Sequence, residues 1–358
     1  MAIPLLRDFG YDEGTGRRVD KNRWLRLAVG IVVLFVLGVF LRLARPILVP
    51  FAMALLFAFA VSPALDFLVR RKVPKSLALT AILIVAFAFL YLIGTVFYAG
   101  GKSLASELPS YTEMVRSFLE RIDQVVPDPR LKLGLTEWIQ GFNIGQAGSV
   151  LLSALGPFFG FMSDLLLIFI SMIFILGGRG RLVRKIAVAF PPDQAETMAR
   201  TAARIDREVQ KYLAVKSLTN LLIGLLVAAV LAVFGIRFAV VFGVLAFLLN
   251  YVPTLGAIVS VALPALLATF LEGGITFKVV AVLVLLAAVH VLLQRLLERP
   301  LIRKTIVLSP LLVLFSLFFG AWLWGLPGMI LAVPALTAGR IVFENVAVLK
   351  PVGKMMDR

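Results

Sequence analysis

The chain has 358 residues, 61% of them hydrophobic and 16% charged, with a mean hydropathy of +0.99. No single soluble core of this size hides so much apolar surface, and several runs reach the roughly 20 residues that about 30 Å of hydrocarbon requires, so the chain is a helical membrane protein. The absence of cysteine excludes disulfides and thiolate-bound metals, and the net charge of +16 lies in short clusters beside apolar runs, as topology signals do, which argues against a nucleic-acid partner.

Residues 1–23 form a basic tail without an apolar stretch, so no cleavable leader is expected. Arg17, Arg18, Lys21, Arg23 and Arg26 crowd the start of the first span, 24–41, and place the N-terminus in the cytoplasm. A second span over 47–69 ends at Arg70, Arg71, Lys72 and Lys75, and a third crosses outward by residue 99. Residues 100–150 carry five basic and six acidic side chains, a balance suited to an extracytoplasmic segment. Within it Leu104, Leu108, Tyr111, Val115, Phe118, Ile122 and Val125 step by four and three, giving one apolar seam on a helix. The fourth span, 156–176 within the segment 151–176, returns inside. Residues 177–212 hold a second amphipathic pattern through Met198, Ala202, Ile205, Val209 and Tyr212, with Asp193 and Glu196 at capping-box spacing. A fifth span then opens the core, 213–339, and residues 340–358 form a cytoplasmic tail.

That core contains two interruptions. If 239–271 were one crossing helix, the next span would strand Arg295, Arg299, Arg303 and Lys304 outside, against the positive-inside rule. Arms of about 14 to 17 residues reach only about 21 to 26 Å, so a re-entrant hairpin with Pro253 and Gly256 at its tip is expected. The same reasoning predicts a second hairpin over 308–339, with Gly325, Pro327 and Gly328 at the tip. The fold expected is therefore all-α and polytopic, with six full spans and two re-entrant helical hairpins entering from opposite sides, and both termini cytoplasmic. Paired broken segments point to a transporter's binding site near the midplane.

The stretches "YVPTLGAIVSVALPALLATF", "LERPLIRKTIVLSPLLVLFSLFFGAWLWGLPGMILAVPALTA" and "ILVPFAMALLFAFAVSPALDFLVRR" resemble the autoinducer-2 exporter family of bacterial permeases, over about residues 24 to 345. The resemblance implies a bacterial inner-membrane transporter, assembled as a homo-oligomer and specifically a pentamer, that exports small polar molecules such as a quorum-sensing signal or exchanges sodium or lithium for protons. Two departures stand out. The fifth span reads "AVKS" where the family usually opens with Gly-Gln, and Gln294 stands six before Pro300, where an acidic residue is often found.

Candidate pathway residues follow from the chemistry of the breaks. Pro253 removes a donor and Gly256 permits a tight turn, so carbonyls one turn earlier are expected to be freed, with Asn250, Tyr251 and Thr254 at hand to meet them or a ligand. Asn220 is a further pathway candidate, whereas Lys216 is read as snorkelling to cytoplasmic headgroups. For coupling, His290 shares four-residue spacing with Gln294 and Glu298, and Asp164 sits well inside the fourth span if that span begins at Gly156. No metal-ligand spacing, nucleotide loop or catalytic triad is present, so no enzyme and no cofactor is expected. The substrate and membrane lipids are the partners expected. The leading reading is a secondary transporter drawing on an ion or substrate gradient; the alternatives are a monovalent cation for proton antiporter and a membrane scaffold without transport.

Overall fold

A computed structural model describes residues 21–125, 164–178, 185, 188–303 and 308–345. Among these, the regular elements are helical and no strand occurs. In chain order they are α1 (Lys21–Leu43), α2 (Arg45–Arg70), α3 (Lys75–Val125), α4 (Asp164–Gly178), α5 (Pro192–Val233), α6 (Ala239–Leu249), α7 (Leu255–Leu271), α8 (Phe277–Leu293), a π turn (Gln294–Glu298), α9 (Arg299–Arg303), α10 (Pro310–Trp324) and α11 (Leu326–Asn345). Five stretches are long and apolar enough to cross a bilayer: Arg45–Arg70, Lys75–Gly100, Pro192–Val233, Phe277–Leu301 and Leu326–Asn345. Asp164–Gly178, α6, α7 and α10 are shorter apolar helices. The start of the fourth span at Gly156 and most of the basic tails lie outside the described residues.

Two compact units divide the chain, Met1–Leu48 and Val49–Arg358. In the first, α1 exposes apolar side chains around its circumference, with Ile31 and Phe35 more than half exposed. Such a surface suits lipid and not water, because only hydrocarbon leaves it without a hydration cost.

In the second unit, α3 runs through 51 residues, about 76 Å at 1.5 Å per residue. The seam beginning at Leu104 is thus carried on the same helix as the third span, reaching far beyond one bilayer thickness. Likewise the amphipathic run ending at Tyr212 and the fifth span form one 42-residue helix, α5. The expected capping box does not form. Pro191 is the N-cap, without a side-chain bond, and Asp193 lies inside the first turn, where its charge faces the positive helix end. The polar half of α5 is tied to the end of α11: Arg204 Nη1 donates to Glu344 Oε2 at 2.8 Å and Arg340 pairs with Glu344 Oε1 at 2.9 Å.

Two apolar clusters hold this unit together. One joins α2, α3 and α4 to Val209, Tyr212 and Leu213 of α5 and Val333 of α11. The other joins Ile223, Val227 and Leu231 of α5 to Ala246, Ala268, Val282 and Leu286 on α6, α7 and α8. Small residues let α5 and α6 approach closely: a Cβ on Gly224 would lie 2.7 Å from the Gly243 carbonyl oxygen, and one on Gly243 2.7 Å from the Ala228 Cβ.

Candidate functional site

Both interruptions are sharp reversals. Six residues of continuous α-helix separate two groups by about 9 Å and eight by about 12 Å. Yet a Cβ on Gly256 would lie 2.7 Å from the Asn250 Cα, and one on Gly320 2.8 Å from the Gly328 carbonyl carbon. The chain therefore turns back so tightly that the Gly256, Gly320 and Gly328 sites have no room for a side chain. At the first break Thr254 has φ +67°, and at the second Gly325 has φ +68° and ψ −141°. Of the arms, the 17 residues of α7 and 15 of α10 match the 14 to 17 expected, whereas α6 is shorter at 11 and α11 longer at 20. The breaks meet in a third small cluster, where Val252 packs with Leu317 of α10 and Ala332 of α11.

The freed carbonyls expected before Pro253 are largely taken up by turn bonds. The amide of Tyr251 donates to Leu248 O at 3.3 Å and that of Val252 to Leu249 O at 2.9 Å. Asn250, 2% exposed, donates from Nδ2 to Ala246 O at 2.7 Å and lies 3.3 Å from His290 Nε2. His290 Nδ1 stands 2.9 Å from Leu286 O; a carbonyl only accepts, so the proton belongs on Nδ1, and Nε2 receives the Asn250 amide. The Tyr251 hydroxyl meets Ser217 Oγ at 2.7 Å.

Lys216 corrects the expectation of lipid contact. It is 3% exposed, and its Nζ donates to Glu298 Oε1 at 2.7 Å. The expected stripe of His290, Gln294 and Glu298 runs through a π turn from Gln294 to Glu298. In a regular helix the eight residues from His290 to Glu298 leave about 80° between them; the extra residue that a π turn absorbs reduces this to about 20°. The π turn thus brings Glu298 onto the inward face of His290, while Gln294 stays half-buried within the turn.

Asn220, one turn past Lys216, is fully buried, and neither its Nδ2 nor its Oδ1 has a hydrogen-bond partner among the described residues. The same holds for Glu298 Oε2. Buried polar atoms without partners are rare, since each forfeits hydration of about 1–3 kcal/mol. Asn220, Asn250, Tyr251, His290 and Glu298 are therefore gathered around α5 by Ser217 and Lys216. Asp164 is not. It is half-buried at the first described position of α4, whose side chains pack in the other large cluster. Sequence reasoning missed Ser217 and the role of Lys216, although a lysine one turn from an asparagine inside an apolar run was the available signal.

The profile described as AI-2E family transporter matches residues 29–347. The chain is 28% identical over 323 residues to the AI-2 transport protein TqsA of Escherichia coli, covering 90% of this chain and 92% of that one. It is 29% identical over 327 residues to a putative transport protein of Haemophilus influenzae, covering 89% and 92%. A sodium-lithium/proton antiporter of Halobacillus andaensis is 25% identical over 338 residues, covering 88% and 93%.

Proposed function

This chain belongs to the AI-2E transporter family, a membrane transporter with its helices in the bacterial inner membrane, and from that premise we propose that it exports small polar solutes along a path over the two breaks and the buried polar group on α5. The observation that carries this reading is Asn220: a wholly buried amide with neither end satisfied, on the helix that also anchors Tyr251 and Glu298. In a lipid-embedded protein such a group is costly unless something polar passes it. The path residues are Asn220, Asn250, Tyr251, Pro253, Thr254 and Gly256 on one side, and Gly325, Pro327 and Gly328 on the other.

In this reading α6–α7 and α10–α11 are re-entrant pairs that move against the remaining spans, with N- and C-termini cytoplasmic. His290 and Glu298 are the coupling groups, with Gln294 between them and Asp164 apart. The seam on the extension of α3 is the contact of a homo-oligomer, five copies being the number the family resemblance implies. Native mass spectrometry in mild detergent tests that number.

The transport claim is tested by release of AI-2, the solute in the name of the Escherichia coli relative, from cells that make it, with and without this chain. The expected result is faster release with the chain present, lost in Gly256→Leu and Gly328→Leu although both variants still reach the membrane. Equal release by those variants removes the breaks from the path.

A second reading, exchange of a monovalent cation for protons, is favoured by one observation: a buried carboxylate oxygen, Glu298 Oε2, without a partner among the described residues. Sodium or lithium flux driven by a pH difference across proteoliposomes tests it.

A further inference from the structure

The second re-entrant pair carries a fastening far from its break. Val333 of α11 packs in the same cluster as Tyr212 and Leu213 of α5, and toward the other end of the contact Glu344 of α11 meets Arg204 of α5. The two helices therefore run antiparallel, side by side, for about 14 to 17 Å at 1.5 Å per residue. Since α11 is an arm of the second break, this contact joins an element that moves, in the function proposed, to one that stays.

The fastening is a chain of four charges. Glu208 Oε1 accepts from Arg204 Nε at 2.8 Å, Arg204 Nη1 donates to Glu344 Oε2 at 2.8 Å, and Arg340 Nε lies 2.9 Å from Glu344 Oε1. Only the middle link crosses between helices. The outer links join residues four apart on one helix, Arg204 with Glu208 on α5 and Arg340 with Glu344 on α11, the spacing at which side chains of a single helix face each other. Parting the helices thus breaks one link of three and strands no charge, because Arg204 keeps Glu208 and Glu344 keeps Arg340.

Lys216 and Glu298 have the opposite arrangement. No acidic residue stands within one turn of Lys216 on α5, so separating that pair would leave an ammonium only 3% exposed without its counter-charge, which is strongly unfavourable. That pair fixes α5 to the end of α8. The Arg204 and Glu344 side chains are 42% and 25% exposed, so water and dissolved salt reach them and weaken their attraction.

We propose that Arg204 and Glu344 form a releasable latch: made, it clamps α11 against α5 as seen here; broken, it frees α11 to move while each charge falls back on the partner in its own helix. The inference rests on the reading of α10–α11 as a moving pair, and it names Arg204 and Glu344 as positioning residues that set the rate of transport without touching the solute.

The test exploits the lack of cysteine in the chain. Thr337, 3% exposed between Val333 and Glu344 on α11, is replaced in Thr337→Cys, a change of little volume, and the purified full chain in detergent is treated with a water-soluble maleimide. Labelling is expected to be slow at low salt and to quicken with added sodium chloride. Adding Arg204→Gln or Glu344→Gln should quicken it severalfold and remove the salt response. The charge exchange, Arg204→Glu with Glu344→Arg, rebuilds the link between helices but sets like charges beside Glu208 and Arg340, so release now leaves repelling neighbours. Labelling of that chain is expected to be as slow as in the parent or slower. A rate indifferent to Arg204→Gln, or an exchanged chain that labels as fast as the single variants, overturns the proposal. Should the exchanged chain not fold, Arg204→Lys decides in its place: it keeps the charge and should label near the parent's rate at low salt, and labelling as fast as Arg204→Gln overturns the latch.

In cells that make AI-2, release per chain in the membrane is expected to rise in Arg204→Gln by up to about fivefold, the strength of an ion pair open to water. Unchanged or slower release there overturns the latch as a control on transport. If the parent itself releases no AI-2, the transport reading fails while the labelling rates still decide the latch, so the two fail separately.

Discussion

The break between α6 and α7 and the break between α10 and α11 solve the same mechanical problem with different chemistry. At the first, the turn is made by Asn250 to Thr254, and its polar side chains are spent on neighbours: Asn250 on His290 of α8 and Tyr251 on Ser217 of α5. At the second, a single glycine with φ +68° makes the turn, and the hydroxyls flanking it bond only within their own helices, Ser316 to Val313 O and Thr337 to Val333 O. The first pair is thus wired to the polar cluster, while the second is a steric joint held by backbone contact between Gly320 and Gly328. Both turns are only partly covered: Asn250, Val252 and Gly256 at the first and Gly328 at the second are buried, while Thr254, Leu255 and Leu326 are exposed.

Several variants break or sharpen this contrast. The largest effect is expected from a leucine at Gly328 or Gly256, where the added side chain meets main chain and not a flexible neighbour. Overpacking of this kind costs about 1–3 kcal/mol or more, so the melting midpoint should fall and transport should cease at both breaks alike. Next comes Asn250→Leu, which strands His290 Nε2 at a cost of about 1–3 kcal/mol and leaves the Ala246 carbonyl only the backbone amide of residue 250. Transport should drop about tenfold, since 1.4 kcal/mol corresponds to that factor, whereas Ser316→Ala beside the second break should change it less than about twofold; equal losses erase the distinction between the two joints. Gly325→Ala is expected to lower stability by about 1–3 kcal/mol through backbone strain alone, seen as a fall in melting temperature that no second substitution in the polar cluster modifies. Smaller still is Tyr251→Phe, worth about 1 kcal/mol for a lost hydrogen bond. Paired with Ser217→Ala it should give less than the sum of the single losses, and strict additivity in that cycle would show the hydroxyls to be independent. The smallest is Thr254→Gly. Relief of its positive φ should raise the melting temperature slightly, while added freedom at the joint slows transport.

The positions of both interruptions were legible before any coordinates, because proline and glycine act on the backbone where they stand: Pro253 and Gly256 mark one reversal, Gly325, Pro327 and Gly328 the other. The helical class and the apolar spans were legible for the same reason, since hydropathy along 20 residues is a local property. What failed was local inference about partners. Lys216 read as a headgroup lysine because nothing within one turn of it is acidic, and its carboxylate arrives from 82 residues away. The capping box at Asp193 failed because Pro191 and Pro192 start the helix earlier than the box requires.

By itself, then, composition and spacing determined that this chain lives in a bilayer as helices and where two of those helices must break, as covalent geometry and hydrocarbon thickness act over a few residues. Only the tertiary structure decided which buried groups meet. The π turn that delivers Glu298 to Lys216, the Asn250 contact to His290 across 40 residues, and the isolation of Asn220 each depend on how α5 packs against α6 and α8, and a buried charge or amide takes its partner from whatever helix comes to lie beside it.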